Sequence, residues 1–313
     1  MKNTDRALVT QDPLDVIVIG EALIDVVSSP GGTIEHPGGS PANVAYGLGR
    51  LGVAAGLLTA IGDDERGAAI EGHLRCAGVL LLPGSRRLER TSTSTVTLAG
   101  DGSANYEFDV AWELDPVAPA LVPKVVHTGS IATFLQPGAG AVKELLQHWR
   151  GDCTITYDPN IRPSLLGSHA EALSIFEDLI HLTDVVKLSD EDAKWLYPRE
   201  DVDGIATYLL SMGAGLVVIT QGSQGSVLAT APHRVTVPSV ESLVADTIGA
   251  GDSYTSALIM GLIARGTDAL APGDLEHLGR TASMAAAITV RRPGANPPTM
   301  EELRLHLGKL ATF

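Results

Sequence analysis

The amino-acid sequence predicts an α/β protein, with a mostly parallel central sheet covered by helices on both faces and a small β appendage. Three observations carry this expectation. From residue 125 onward, runs rich in β-branched residues alternate with helical patterns, the rhythm of parallel strands joined by crossover helices. Before that point, two alternating segments at 91–98 and 105–112, joined by Gly100-Asp101-Gly102, read as a hairpin that interrupts the rhythm. Towards the end, Gly249-Ala250-Gly251-Asp252 opens directly into a helix marked by the apolar spacing of Ala257, Leu258, Leu262 and Ile263.

With 313 residues the chain is long enough for a full hydrophobic core. Apolar residues make up 44% and charged residues 19%, the balance of a soluble globular protein. The formal charge of 22 − 37 = −15 repels polyphosphate backbones and anionic membrane surfaces, so neither nucleic acid nor membrane is an expected partner. Cys76 and Cys153 are the only cysteines, too few for a disulfide framework and without zinc-site spacing. The polar first fourteen residues lack the apolar core of a signal peptide, and a cytoplasmic protein is expected. No repeat or low-complexity linker divides the chain, so residues 1–313 are read as one domain.

The first strand spans 15–27, broken at Gly20-Glu21 and carrying Asp25 among Leu23, Ile24, Val26 and Val27. A carboxylate there either receives hydrogen bonds from a polyol substrate or lies on the solvent face of an edge strand. In 36–52, Pro37-Gly38-Gly39 is a turn and Ser40 or Pro41 starts a helix with one small face. Gly38, Gly39 and Asn43 either donate to hydroxyls at that helix start or serve tight packing. A strand at 56–62 and a helix at 64–77 follow. After the hairpin come strand 125–130, helix 139–149, strand 154–157, helix 170–181, strand 185–188, helices 191–196 and 204–212, and strand 216–220.

Ligands collect at the carboxyl ends of parallel strands. Three polar clusters fall there: Asp158, Asn160 and Arg162; Lys187 to Asp192; and Thr220 with Gly222 and Gly225. A hairpin at 226–230 and 234–240 precedes the glycine-rich helix start, and an alanine-rich helix at 278–290 and a terminal helix at 300–307 follow it. Ala282 and its neighbours offer either a flat surface for an adenine ring or a tight helix contact.

At Asp252, the unpaired N–H groups of the helix start and the helix dipole favour an anion, and the glycines admit a phosphate closely. A carboxylate at that point suits the base that deprotonates an attacking hydroxyl in phosphoryl transfer. The alternative is that Asp252 caps the helix. No Walker-type loop occurs, and no GxGxxG follows the first strand.

The two long segments HPGGSPANVAYGLGRLG and DTIGAGDSYTSALIMGL resemble the paired signatures of the ribokinase-like (PfkB) sugar kinase family, and the strand-helix rhythm extends the match over nearly the whole chain. The resemblance implies a ribokinase-like three-layer sandwich with a β lid built from about 22–37 and 91–112. It implies that Asp252 is the catalytic base, that Gly249, Ala250 and Gly251 form the anion hole, and that Asp25, Gly38, Gly39 and Asn43 hold sugar hydroxyls. Lys187, Thr220, Gly222, Gly225 and Ala282 become the expected nucleotide contacts, with ATP and Mg2+ as the phosphoryl donor and its ion. Asp246, with Thr247, flanks the family's monovalent-cation site, taken as K+. Ser189 and Asp192 in KLSDEDA stand where the family has Asn and Glu, so Asp192 keeps a carboxylate to order magnesium-bound water.

Within the family, GEALIDVV, DPNIRP and KLSDED resemble fructokinases most, so ATP-dependent phosphorylation of fructose is expected. Kinases of 2-keto-3-deoxygluconate, ribose or nucleosides are the alternatives. Arg162 suits a ketose through its donors and a sugar acid through its charge. Exposed lid strands need cover for their apolar face, which a second subunit would supply, so a homodimer through the lid is expected.

Overall fold

Val16–Ile19 (β1) sets four apolar side chains side by side, all fully buried. A strand with a helix layer on each face has no polar side, which is why its sequence does not alternate. The computed structural model describes residues 13–29, 32–98, 104–116 and 122–310. After β1 come β2 (Leu23–Ser29), β3 (Gly32–Gly38), α1 (Ser40–Arg50), β4 (Ala55–Leu58), β5 (Ile61–Gly62), α2 (Glu65–Cys76), β6 (Leu80–Leu81) and β7 (Arg86–Leu88). The strands β8 (Thr93–Leu98), β9 (Ala104–Asp109) and β10 (Val125–Gly129) follow, then α3 (Gly138–Trp149), β11 (Thr154–Asp158), α4 (His169–Ile180), β12 (Val185–Ser189) and α5 (Asp190–Leu196). The chain closes with α6 (Val202–Ser211), β13 (Leu216–Thr220), β14 (Ser226–Ala229), β15 (Arg234–Val237), α7 (Ala250–Arg265), α8 (Pro272–Thr289) and α9 (Met300–Leu310).

Among the described residues the central sheet runs β15-β14-β13-β12-β11-β10-β1-β4-β6, parallel from β6 to β13 and antiparallel at the β14 and β15 end. Successive side chains point to opposite faces. Ile17 and Ile19 therefore pack with Val142 and Leu145 of α3, Phe176 of α4 and Leu209 of α6. Val16 and Val18 pack on the other face with Val44 and Leu48 of α1 and Ile70 and Leu74 of α2. Towards β13 and β14 that second face is covered by α7 and α8, through Tyr254, Leu258, Leu278 and Ala285.

A separate four-stranded sheet, β3-β2-β8-β9, draws on both segments expected to form the β appendage. The 15–27 segment divides into β1 and β2 in two different sheets. Gly20 lies at the switch, and a Cβ there would meet Pro41 Cγ at 2.3 Å, so the position has no room for a side chain. β2 is an interior strand, which removes the edge-strand alternative for Asp25. The expected strand at 56–62 likewise divides into β4 and β5, and 105–112 ends at Asp109. Trp112 leaves the sheet to enter the core at 3% exposure, with Nε1 donating to Ala132 O at 2.9 Å. The turn Gly100-Asp101-Gly102 lies outside the described residues. No helix among them is long and apolar enough to cross a membrane.

Candidate active site

α7 begins at the carboxyl edge of the parallel strands, and its start is shaped by close packing. Gly249 precedes it at φ 74°, in the left-handed region, where a Cβ would stand 2.6 Å from Ala295 Cβ. Glycine is the residue that meets both constraints without strain. Asp252 is the third residue of α7 and does not cap it. Its Oδ1 accepts from Ser40 Oγ at 2.7 Å and its Oδ2 from Asn43 Nδ2 at 2.9 Å. The start of α1 thus holds the carboxylate aimed away from its own helix end.

Burial pushes the Asp252 carboxyl above its ordinary range. The bonds from Ser40 and Asn43 oppose this, Asp158 adds to it, and Lys187 opposes it. The result is a stronger base than a solvent-exposed aspartate, suited to accepting a proton.

Lys187, on β12, is 6% exposed, and a Cβ on Gly251 would stand 3.3 Å from its Nζ. The ammonium therefore lies against the first turn of α7, where it adds a full charge to the free N–H groups and the dipole. Its Nζ donates to Asp158 Oδ2 at 2.8 Å, and Thr255 Oγ1 donates to the same oxygen at 3.2 Å. Burial works against the ammonium, yet Asp158, with Asp192 and Asp252, offsets it and the Lys187 pKa is raised. Among the described residues, Asp158 Oδ1 is buried without a hydrogen-bond partner. Gly249, Ala250, Gly251, Asp252 and Lys187 thus come together at the start of α7, an arrangement with the chemistry to receive an anion beside a carboxylate.

Asp25 faces the same neighbourhood from the small sheet. A Cβ on Gly38 would stand 2.0 Å from Asp25 Oδ2, so the glycine makes room for the carboxylate. Burial raises the Asp25 pKa, Ser94 donates to it, and His36, Asp252 and Arg162 act on it through charge. Arg162 is exposed, with Nη1 donating to Ile161 O at 3.0 Å. Gly39 is the N-cap of α1 at φ 97°. Asp25, Gly38, Gly39, Asn43 and Arg162 therefore gather around Asp252.

The remaining expected residues are placed less uniformly. Thr220 ends β13, and Gly222 and Gly225 take φ of 52° and 95° in the turn that follows. Ala282 departs from the expectation: it lies on the buried face of α8 packed with α7, 0% exposed, so it has no surface to present to a ring and serves helix packing. Asp192 is buried, with Oδ1 accepting from Ile161 N at 2.8 Å and Oδ2 from Ser189 Oγ at 2.7 Å and Ser189 N at 3.1 Å. Ser189 is the N-cap of α5, so this pair closes a capping box. Asp246 clamps two loops, accepting from Ile248 N at 3.0 Å and Gly294 N at 2.8 Å.

Ser40, Glu21 and Thr255 join the site through contacts that their sequence positions do not announce. Glu21 offered one signal, an acid directly after the apolar run VIVI and a glycine. It is 4% exposed, and burial pushes its carboxyl up to about 7.

A family model described as pfkB family carbohydrate kinase matches residues 14–302. The chain belongs to this family. It is therefore a carbohydrate kinase, a phosphotransferase acting on a sugar hydroxyl, and the fold is ribokinase-like. A fructokinase of Rhizobium leguminosarum bv. trifolii is 32% identical over 79% of this chain and 79% of its own length. A putative sugar kinase of Pyrococcus horikoshii is 31% identical over 91% and 93%. Its crystal structure superimposes with a TM-score of 0.79, covering 93% of this chain and 96% of that one at 30% identity. The ATP-bound fructokinase of Xylella fastidiosa shares the fold at a TM-score of 0.84 and 24% identity, covering 95% and 98%.

Proposed function

We propose that this carbohydrate kinase transfers the γ-phosphoryl group of ATP to a hydroxyl of fructose. The observation that carries the transfer chemistry is the grip of Ser40 and Asn43 on Asp252, at the start of the helix whose first turn also faces Lys187. The sugar oxygen attacks the γ-phosphorus and gives its proton to Asp252. As the new O–P bond forms, the bond from phosphorus to the β,γ-bridging oxygen breaks, and ADP leaves with that electron pair. The N–H groups around Gly249, Ala250 and Gly251, with the Lys187 ammonium, stabilise the charge spreading over the phosphoryl oxygens.

Fructose is supported by the Rhizobium relative named fructokinase and by the neutral-hydroxyl character of Asp25, Asn43, Gly38 and Gly39, with Arg162 as a further donor. Thr220, Gly222 and Gly225 are the proposed nucleotide contacts, supported by the ATP described for the Xylella and Pyrococcus structures. The donor set fits hydrated Mg2+: Asp192 Oδ1 keeps a lone pair beside its bond from Ile161, and the buried Asp158 Oδ1 has no partner among the described residues. Magnesium on the polyphosphate supplies charge neutralisation. Asp246 is proposed to support a K+ site, following the potassium described for a Vibrio cholerae fructokinase. The small sheet is proposed as a lid and as the surface of a homodimer, within a single domain of a cytoplasmic enzyme.

The test is ADP release with Mg-ATP and fructose, compared with 2-keto-3-deoxygluconate, ribose and adenosine. Fructose should give the highest kcat/KM. A higher value for the keto acid would reverse the substrate ordering and leave the family assignment intact.

A further inference from the structure

Four crossings of the backbone join the small sheet to the body among the described residues: 20–22, 39, 89–92 and the stretch from 110. Two of them converge on one residue, and the other two are tied to those. Ala132 N donates to Glu21 Oε2 at 3.1 Å, and Ala132 O accepts from Trp112 Nε1 at 2.9 Å, so the first and fourth crossings hold opposite ends of the same residue. In the third crossing, Ser92 Oγ accepts from Ala111 N at 3.1 Å and donates to Ala111 O at 3.2 Å, which ties it to the fourth. The second crossing is pressed on the first: a Cβ on Gly39 would stand 2.7 Å from Glu21 O. Ser40 follows Gly39 directly and donates to Asp252.

The Ser130–Thr133 turn that offers Ala132 is itself unusual. Ser130 adopts φ 55°, a left-handed conformation costly for a residue with a side chain, and its hydroxyl bonds to Glu21. Such geometry persists where its surroundings hold it.

We propose that Glu21 is a positioning residue for phosphoryl transfer: its buried carboxylate, gripped by the Ser130–Thr133 turn, fixes the small sheet on the body and, through Gly39 and Ser40, the orientation of Asp252. With Asp252 taken as the base, as proposed above, the same acid links sugar binding to base alignment. Burial is the main cause that raises its pKa to about 7; the bonds from Ser130 and Ala132 lower it, and Asp252 raises it. Asp252 of α7 is the charged group facing it, with Lys187 and Asp158 beyond, while α1 and the turn present Gly39, Ser130 and Ala132. Ionised, Glu21 grips through charge-assisted bonds, roughly twice as strong as neutral ones. As pH rises through neutrality these two bonds strengthen, while burial of the charge costs the fold stability.

Glu21→Gln keeps the shape and cannot ionise, and Trp112→Phe removes the second bond to Ala132 while leaving the carboxylate. Expected is a loss in kcat/KM for Glu21→Gln of about tenfold at pH 8 that shrinks to about twofold at pH 6, the difference between a charged and a neutral hydrogen bond. Trp112→Phe should raise the sugar KM severalfold at every pH while keeping the wild-type inflection near neutrality. A Glu21→Gln deficit that is constant across pH, or a Trp112→Phe sugar KM equal to wild type, would overturn the role. Thermal unfolding separates this from a wrong substrate. Because the folded pKa of Glu21 is raised, its contribution to stability is present below the ordinary value of 4.5 and lost as pH rises through about 7. The melting temperature of wild type should therefore fall relative to Glu21→Gln between pH 5 and 8, whichever sugar is used; parallel curves would also overturn the role.

Discussion

Asn43 Nδ2 lies 2.9 Å from Asp252 Oδ2, across 209 positions of sequence. The amide and the carboxylate come from the starts of two helices, α1 and α7, that pack against each other through Gly47, where a Cβ would stand 2.4 Å from Ser256 Oγ. A small residue at that crossing lets the two helix starts share one site. Asn43 has a carbonyl oxygen and a second N–H beyond that bond, so in the proposed reading one side chain aims the base and reads the acceptor.

Asp252→Asn should fold as wild type and lose about 10² to 10⁴ in kcat, because the amide keeps the shape and cannot take a proton. The raised pKa of Asp252 adds a pH signature: kcat/KM should fall on the acid side at a pH above that expected for an ordinary aspartate. Steady-state kinetics from pH 4 to 8 measure both. Turnover of the variant within about threefold of wild type would remove Asp252 from the base role.

Gly38→Ala puts a methyl group where Asp25 Oδ2 now lies. Backbone on β3 and the carboxylate on β2 cannot both keep their positions, so Asp25 must turn away. The sugar KM should rise at least about tenfold, the scale of one charge-assisted hydrogen bond, while the KM for Mg-ATP stays within about twofold. Equal changes in both constants would mean that Asp25 does not hold the acceptor.

Lys187→Met leaves Asp158 buried and uncompensated. Breaking such a pair costs on the order of 3–5 kcal/mol of stability, so the variant should melt well below wild type. Adding Asp158→Asn removes the stranded charge and should restore most of the stability. Activity should stay low in both, because neither restores the ammonium at the first turn of α7. Recovery of turnover in the double variant would show that Lys187 serves structure alone.

The small sheet leaves Ile34 of β3 59% exposed on its surface. If that face is shared between two subunits, light scattering should give twice the chain mass at micromolar concentration, and Ile34→Asp should shift the population towards monomer. A monomeric wild type would refute the dimer.

What the sequence determined by itself lies mostly in the backbone. β-branched runs against helical periodicity located the parallel strands, because a strand covered on both faces must be apolar throughout. Gly38, Gly39 and Gly249 were legible because positive φ or close approach restricts those positions to glycine, whereas Asp252 read equally as a helix cap or a base until the family resemblance favoured the base. Tertiary structure alone decided the rest. Ala282 is the same residue type whether it faces a ring or a neighbouring helix, and only packing put it in the core. The division of 15–27 between two sheets falls at Gly20, where the close approach of Pro41 leaves no room for a side chain. Ser40, Lys187 with Asp158, and Glu21 with Ala132 owe their roles to partners remote in sequence. Hydrogen bonds and burial depend on distance in space, and a buried acid announces its chemistry only when the groups around it are known.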